Sequence, residues 1–224
     1  MNTVLSKYKK EVEWLRQLSP QERTVDDVLA RLERDPSDLP ARLALGNIFY
    51  LFGETERAIE VFQSIIDQNP NGAALARYHL GITLYRMGRL DEAIPVLEKG
   101  FSVNGNIAMF LYWLGVACYH KGDWPKAQRY YEEFLKRCPK SKMAYYHLAV
   151  VSAAQKENWK SVTCLRKLLE IDKRDTAALY HLANAYVNMR KPTEALGTLR
   201  KLLEIDPHDV RAKTMMEHLS SSEP

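Results

Sequence analysis

The chain has 224 residues, of which 46% are apolar and 27% charged, and a formal net charge of +4. That composition excludes a disordered or fibrous chain and is ordinary for a folded one. No apolar run reaches the ~18 residues needed to cross a bilayer, and three widely spaced cysteines, Cys118, Cys138 and Cys164, argue against a disulfide framework or a cysteine zinc site.

The first stretch, MNTVLSKYKKEVEWL, places Val4, Leu5, Tyr8, Val12 and Leu15 on one helical stripe, which predicts an amphipathic helix over residues 3–17. It lacks the apolar block and cleavage site of a secretory signal, and a reducing cytoplasmic setting is expected from the cysteines. Thr24 with Asp27 reads as the start of a second helix ending near Asp35-Pro36. Residues 1–38 are therefore expected to form a degenerate helix pair that caps the N-terminal end of a longer helical array.

From residue 39 the chain repeats. Gly46, Gly81, Gly115, Ala149 and Ala183 each follow a leucine and are 34 or 35 residues apart. Twelve residues beyond each comes a second small residue, Ala58, Ala93, Ala127, Ser161 or Ala195. Four further on stands a large apolar one: Phe62, Leu97, Tyr131, Leu165 or Leu199. In the fifth period, Leu179, Leu182, Ala183 and Tyr186 make one helical stripe, Pro192-Thr193 opens a second helix, and Pro207 ends it. Two helices crossing closely need small residues at the crossing and large ones around it. One such pair cannot bury both faces, so it stacks on its neighbours. Val210 to Leu219 reads as a solvating C-terminal helix within a last segment, 210–224, whose end frays.

The runs LGNIFYLFGETERAIEVFQSIIDQNP and LGVACYHKGDWPKAQRYYEEFLKRCP resemble the tetratricopeptide repeat, and five consecutive units fit it: 39–73, 74–107, 108–141, 142–175 and 176–209. The resemblance implies an all-α fold, a right-handed superhelix (α-solenoid) of antiparallel helix pairs with terminal capping helices. It also implies that first helices line a concave groove and second helices form the back. Departures occur in the second unit, with Pro95 inside its second helix and Gly100 and Gly105 near its end. In the fourth unit Lys156 replaces a turn glycine and Lys173 a closing proline. Residues 95–107 are expected to be the softest joint.

No phosphate loop, metal-ligand run or nucleophile motif is present, so no catalytic residue, metal or cofactor is assigned and the chain is not expected to be an enzyme. His147 and His181 could approach each other on neighbouring helices, but no third ligand accompanies them. Cys118 reads as a small buried hydrophobe. The groove carries the stronger pattern. Tyr78, Tyr112, Tyr146 and Tyr180 are each 34 residues apart, and by the resemblance they face the concave side. Tyr50, Tyr85 and Tyr119 form a second column, and Leu75, Met109 and Met143 extend the face. Asn47, Trp113, His147, His181 and Asn184 complete the candidate peptide-binding groove. Of thirty side chains on this surface, six per unit, only Arg86 is charged.

A neutral, tyrosine- and methionine-rich face points to a protein or peptide partner. The implied function is a non-catalytic interaction scaffold, adaptor or chaperone-like module holding an apolar peptide or helix. Relatives that clamp acidic chaperone tails use basic and asparagine side chains; here Asn47 fits, but Leu43, His79, Met109 and Trp113 stand where the others are needed. A self-assembling scaffold is the alternative, with the N-terminal amphipathic helix as the self-docking segment and a homo-oligomer as the product. Nucleic-acid binding is a third reading. Residues 1–107 carry 13 basic and 15 acidic side chains, residues 108–224 carry 19 and 13. Yet Lys136, Arg137, Lys140 and Lys142 lie at a loop, and Arg166, Lys167, Arg200 and Lys201 on second helices, away from the tyrosines.

Overall fold

The computed structural model describes residues 23–221, which form twelve α-helices and no strand. The helix expected over 3–17, with its self-docking role, lies outside the described residues. The helices divide into two compact units, separated between Phe110 and Leu111.

The first unit contains α1 (Arg23–Arg34), α2 (Leu39–Leu51), α3 (Thr55–Gln68), α4 (Ala74–Arg86) and α5 (Leu90–Val103), and ends in the first residues of α6 (Met109–Lys121). Connections of three residues join α2 to α3 and α4 to α5, so each pair must fold back antiparallel. Gly46 lies directly under the Phe62 ring, and a Cβ on Gly81 would sit 2.5 Å from Leu97. Ala58, Ala93, Phe62 and Leu97 are fully buried around these crossings. Val25, Val28, Leu29 and Leu32 of α1 join the same core, so the apolar face of α2 is covered.

The second unit contains the rest of α6, then α7 (Trp124–Arg137), α8 (Lys142–Ala154), α9 (Asn158–Ile171), α10 (Thr176–Asn188), α11 (Pro192–Ile205) and α12 (Val210–Ser221). Its crossings obey the same rule: a Cβ on Gly115 would lie 2.7 Å from the Tyr131 ring. Helices α8 and α9 are regular despite the substituted signals at Lys156 and Lys173. The C-terminal helix runs to Ser221, and its Ala212 and Met215 close the core formed by Leu179, Leu199 and Leu202.

The period also governs the helix ends. Asp38, Ser141, Asp175 and Asp209 precede first-type helices in register, and each side chain accepts a backbone N–H three residues on, at 3.0, 3.3, 2.9 and 3.0 Å. Such caps stabilise a helix by about 1 kcal/mol each. Between the helices of a pair the chain enters the left-handed region once: Gly53 at φ 83°, Gly88 at 75° and Gly122 at 85°. In the last two pairs the same place is held by Lys156 at φ 63° and Arg190 at 56°. A side chain there costs about 1–2 kcal/mol relative to glycine. Pro95 sits inside a continuous α5 on its exposed side. Gly100 is buried against Phe110 and Arg77, so it is a close-packing residue as well as a weak helix former.

Candidate functional site

In the first unit the first-helix face comprises α2 and α4. Asn47, Tyr50, Tyr78 and Tyr85 are half-buried on it, Leu75 is 50% exposed, and Met109 is half-buried at the start of α6. Arg86, the one formal charge on this face, folds back over Tyr50: its guanidinium lies 5.0 Å from the ring centre and donates to the phenol oxygen at 2.9 Å. Tyr78 meets the buried Phe110 ring edge-on at 5.4 Å. His79 stacks on Phe62 of the preceding pair at 5.4 Å and 18°. Burial in this stack lowers the His79 pKa below the usual imidazole value.

In the second unit Trp113, Tyr119, Tyr146, His147, Tyr180 and His181 are half-buried, while Met143 at 56% and Asn184 stand exposed. The expectation that all four periodic tyrosines present their rings does not hold for Tyr112. It is 7% exposed, hemmed in by Trp113, Tyr131, Phe134 and His147 at 5.7 to 6.1 Å. Its ring is core, because the second helix behind it supplies aromatics where α9 supplies leucines.

Tyr146 and Tyr180 keep more of their surface, and both are held in place. The Tyr146 hydroxyl shares a 3.0 Å hydrogen bond with His181 Nε2. The Arg211 guanidinium of α12 lies 4.8 Å over the Tyr180 ring and is anchored to Asp209 at 2.7 Å. His147 stacks on Tyr131 at 5.6 Å and 11°. Burial lowers the pKa of both His147 and His181, and the nearby Arg211 charge adds to the effect at His181. These imidazoles are thus neutral packing and bonding groups. Among the described residues no three His, Cys, Asp or Glu side chains gather as a metal site would require. Beside His181 a small recess opens between α8 and α10, lined by Val150, Ala153, Asn184 and Asn188. Two exposed amides, one helical turn apart, therefore border an apolar floor.

Several cations of the basic half are already engaged. Lys136 pairs with Glu133 at 2.9 Å, Lys142 with Asp172 at 2.7 Å, and Arg166 donates to the Tyr186 hydroxyl at 2.7 Å. Two arginines that no sequence pattern singles out are also engaged: Arg42 and Arg77 occupy one place in successive pairs, and both are buried. Arg42 bonds Gln68 and Ser64 of α3, its own partner helix, and Arg77 bonds the Pro70 carbonyl just past α3, so both guanidiniums fasten a first helix to the C-terminal end of α3. Their shared spacing is visible in the chain, but an arginine in a buried register gives no sign of burial.

Comparison with known proteins agrees with this architecture. Models of the tetratricopeptide repeat match residues 25–73, 50–110, 108–141 and 162–219. Mouse aspartyl/asparaginyl beta-hydroxylase is 29% identical over 105 residues, which are 46% of this chain and 14% of that protein, so only a small part of it is spanned. Among solved structures, YrrB, described as a tetratricopeptide protein with an unusual peptide-binding site, superposes with a TM-score of 0.74 at 18% identity, covering 85% of this chain and 97% of its own. PilF of Pseudomonas aeruginosa gives 0.74 at 16%, covering 95% and 96%. MamA of Desulfovibrio magneticus gives 0.69 at 19%, covering 74% and 93%. These structural likenesses show a shared fold. With repeat models matching more than half of its residues, the chain belongs to the tetratricopeptide repeat family.

Proposed function

We propose that the chain is a non-catalytic interaction scaffold whose first-helix faces, one in each unit, hold an apolar peptide or helix of a partner protein. The observation that carries this reading is a set of half-buried tyrosines fixed by their neighbours, with exposed Leu75 and Met143 beside them. Rings held in one orientation lose little entropy on binding, their hydroxyls reach peptide backbone groups, and methionine adapts to varied side chains. Asn184 and Asn188 border an apolar recess and add amide donors and acceptors suited to an extended backbone. The peptide-binding description of YrrB, whose fold this chain shares, supports the same ligand class.

Two of the three thiols are poorly placed to act as nucleophiles. Cys118 and Cys164 are buried, and burial pushes Cys164 up to about 11, far from the thiolate a nucleophile needs.

The test is a random peptide library panned against the full chain, with affinities then measured on Leu75→Glu and Met143→Glu. Both residues are exposed, so folding is spared. Selected peptides are expected to be apolar and to bind one or the other variant at least tenfold more weakly, or about 1.4 kcal/mol. Peptides that bind both variants as tightly as the parent chain would place the site elsewhere and sink this reading. Tyr112 is unsuitable for such a test, since its truncation removes a core ring.

A further inference from the structure

The turn edge of the second unit carries a surface that the first-helix faces do not use. Trp124 opens α7 and is 39% exposed; Trp159 opens α9 and is 64% exposed. The turns that hold them share one edge. Gln155 bonds Gln128 at 2.6 Å and Lys160 pairs with Glu132 at 2.8 Å, so the α8–α9 turn is tied to the first turns of α7. Arg166 of α9 reaches Tyr186, near the turn that comes after α10.

Charge on this edge is regular. Residues 121–126 contain Lys121 and Lys126 against Asp123; 155–160 contain Lys156 and Lys160 against Glu157; 189–194 contain Arg190 and Lys191 against Glu194. In each turn the carboxylate pairs with a lysine of its own turn, at 3.3, 3.7 and 3.7 Å; with Glu132, which also pairs with Lys160, the three turns carry six cations against four carboxylates. The corresponding segments of the first unit, 52–57 and 87–92, each carry one cation against two carboxylates and no tryptophan. Two of these cations, Lys156 and Arg190, occupy the left-handed positions that glycine fills in the other pairs. The chain thus holds cations where glycine would be the relaxed choice.

We propose that this edge docks on an anionic lipid surface, the tryptophans entering the headgroup layer and Lys156 and Arg190 meeting lipid phosphates and carboxylates. Indole suits that layer because it joins an apolar body to one N–H donor. Cations near an anionic leaflet each add about fivefold in affinity. A row of turns makes a rim, whereas single-stranded nucleic acid needs a groove that tracks its backbone.

The experiment measures sedimentation of the full chain with phosphatidylcholine vesicles containing or lacking phosphatidylserine, together with tryptophan emission. Binding is expected only with phosphatidylserine, with a blue-shifted emission and a loss at high salt. The Lys156→Gly, Arg190→Gly double variant should bind about thirtyfold more weakly while melting no lower than the parent chain, because glycine relaxes both turns. Trp159→Ala should also weaken binding. No binding to either vesicle, equal binding to both, or full binding by the double variant would overturn the proposal. So would binding to a single-stranded RNA oligonucleotide, and not to vesicles, that Trp159→Ala abolishes.

Discussion

Glycine has opposite meanings at two helical positions of this chain. A Cβ on Gly100 would press into the Phe110 ring and lie 3.1 Å from Arg77 Cβ, whereas nothing lies within 4 Å of a Cβ on Gly197. Helix propensity alone favours alanine at both by about 1 kcal/mol. At Gly100 overpacking against a fully buried ring costs about 1–3 kcal/mol, which wins. Gly197→Ala is therefore expected to raise, and Gly100→Ala to lower, the urea midpoint; a gain at both would refute the packing assignment. The period makes Gly46, Gly81 and Gly115 legible as crossing residues, because each recurs with a large partner sixteen positions on. Gly100 is legible only as a weak helix former, since its partner Phe110 belongs to the next first helix and no spacing rule announces it. Tyr112 misleads for the same reason: its position class is visible, the ring of aromatics around it is not.

At the scale of elements, helix pairs and their turns are plain in the residues, since amphipathic stripes and proline stops are local signals. Caps at Asp38, Ser141, Asp175 and Asp209 are equally local but hidden among ordinary acidic and serine residues. Lys156 and Arg190 cannot be read as left-handed, because nothing in a basic side chain marks that conformation. Helix α5 remains the element with a missing bond, as Pro95 has no N–H to donate to the turn before it. Amides over 95–107 are expected to exchange faster than those over 129–141. Equal protection in the two segments, measured by hydrogen exchange under native conditions, would show that the packing of Gly100 compensates fully.

Across the whole molecule, three histidines share one electrostatic situation. His79, His147 and His181 are held neutral by burial, with pKa values below the ordinary 6.5. The unfolded chain then binds more protons than the folded one as pH falls below about 6.5, so stability drops from that point down to the folded values. The carboxylates with lowered values, such as Asp172 and Asp209, lose their contribution only as pH falls below about 4. The window from pH 7 to 5 therefore isolates the histidines. Melting temperature should fall across it, and His79→Phe should flatten part of the slope while keeping a ring on Phe62. A parent chain that melts at one temperature throughout that window would contradict this assignment.

The stacked histidines also individualise the pairs. His79 meets Phe62 and His147 meets Tyr131, each a ring supplied by the preceding pair. Behind His181 the preceding pair offers Leu165, and the imidazole turns to the Tyr146 hydroxyl instead. A pair docked behind the wrong predecessor would lose its ring or its hydroxyl. Units that look like copies of one another are therefore not interchangeable parts, since each histidine is fitted to the ring or hydroxyl that its own predecessor supplies.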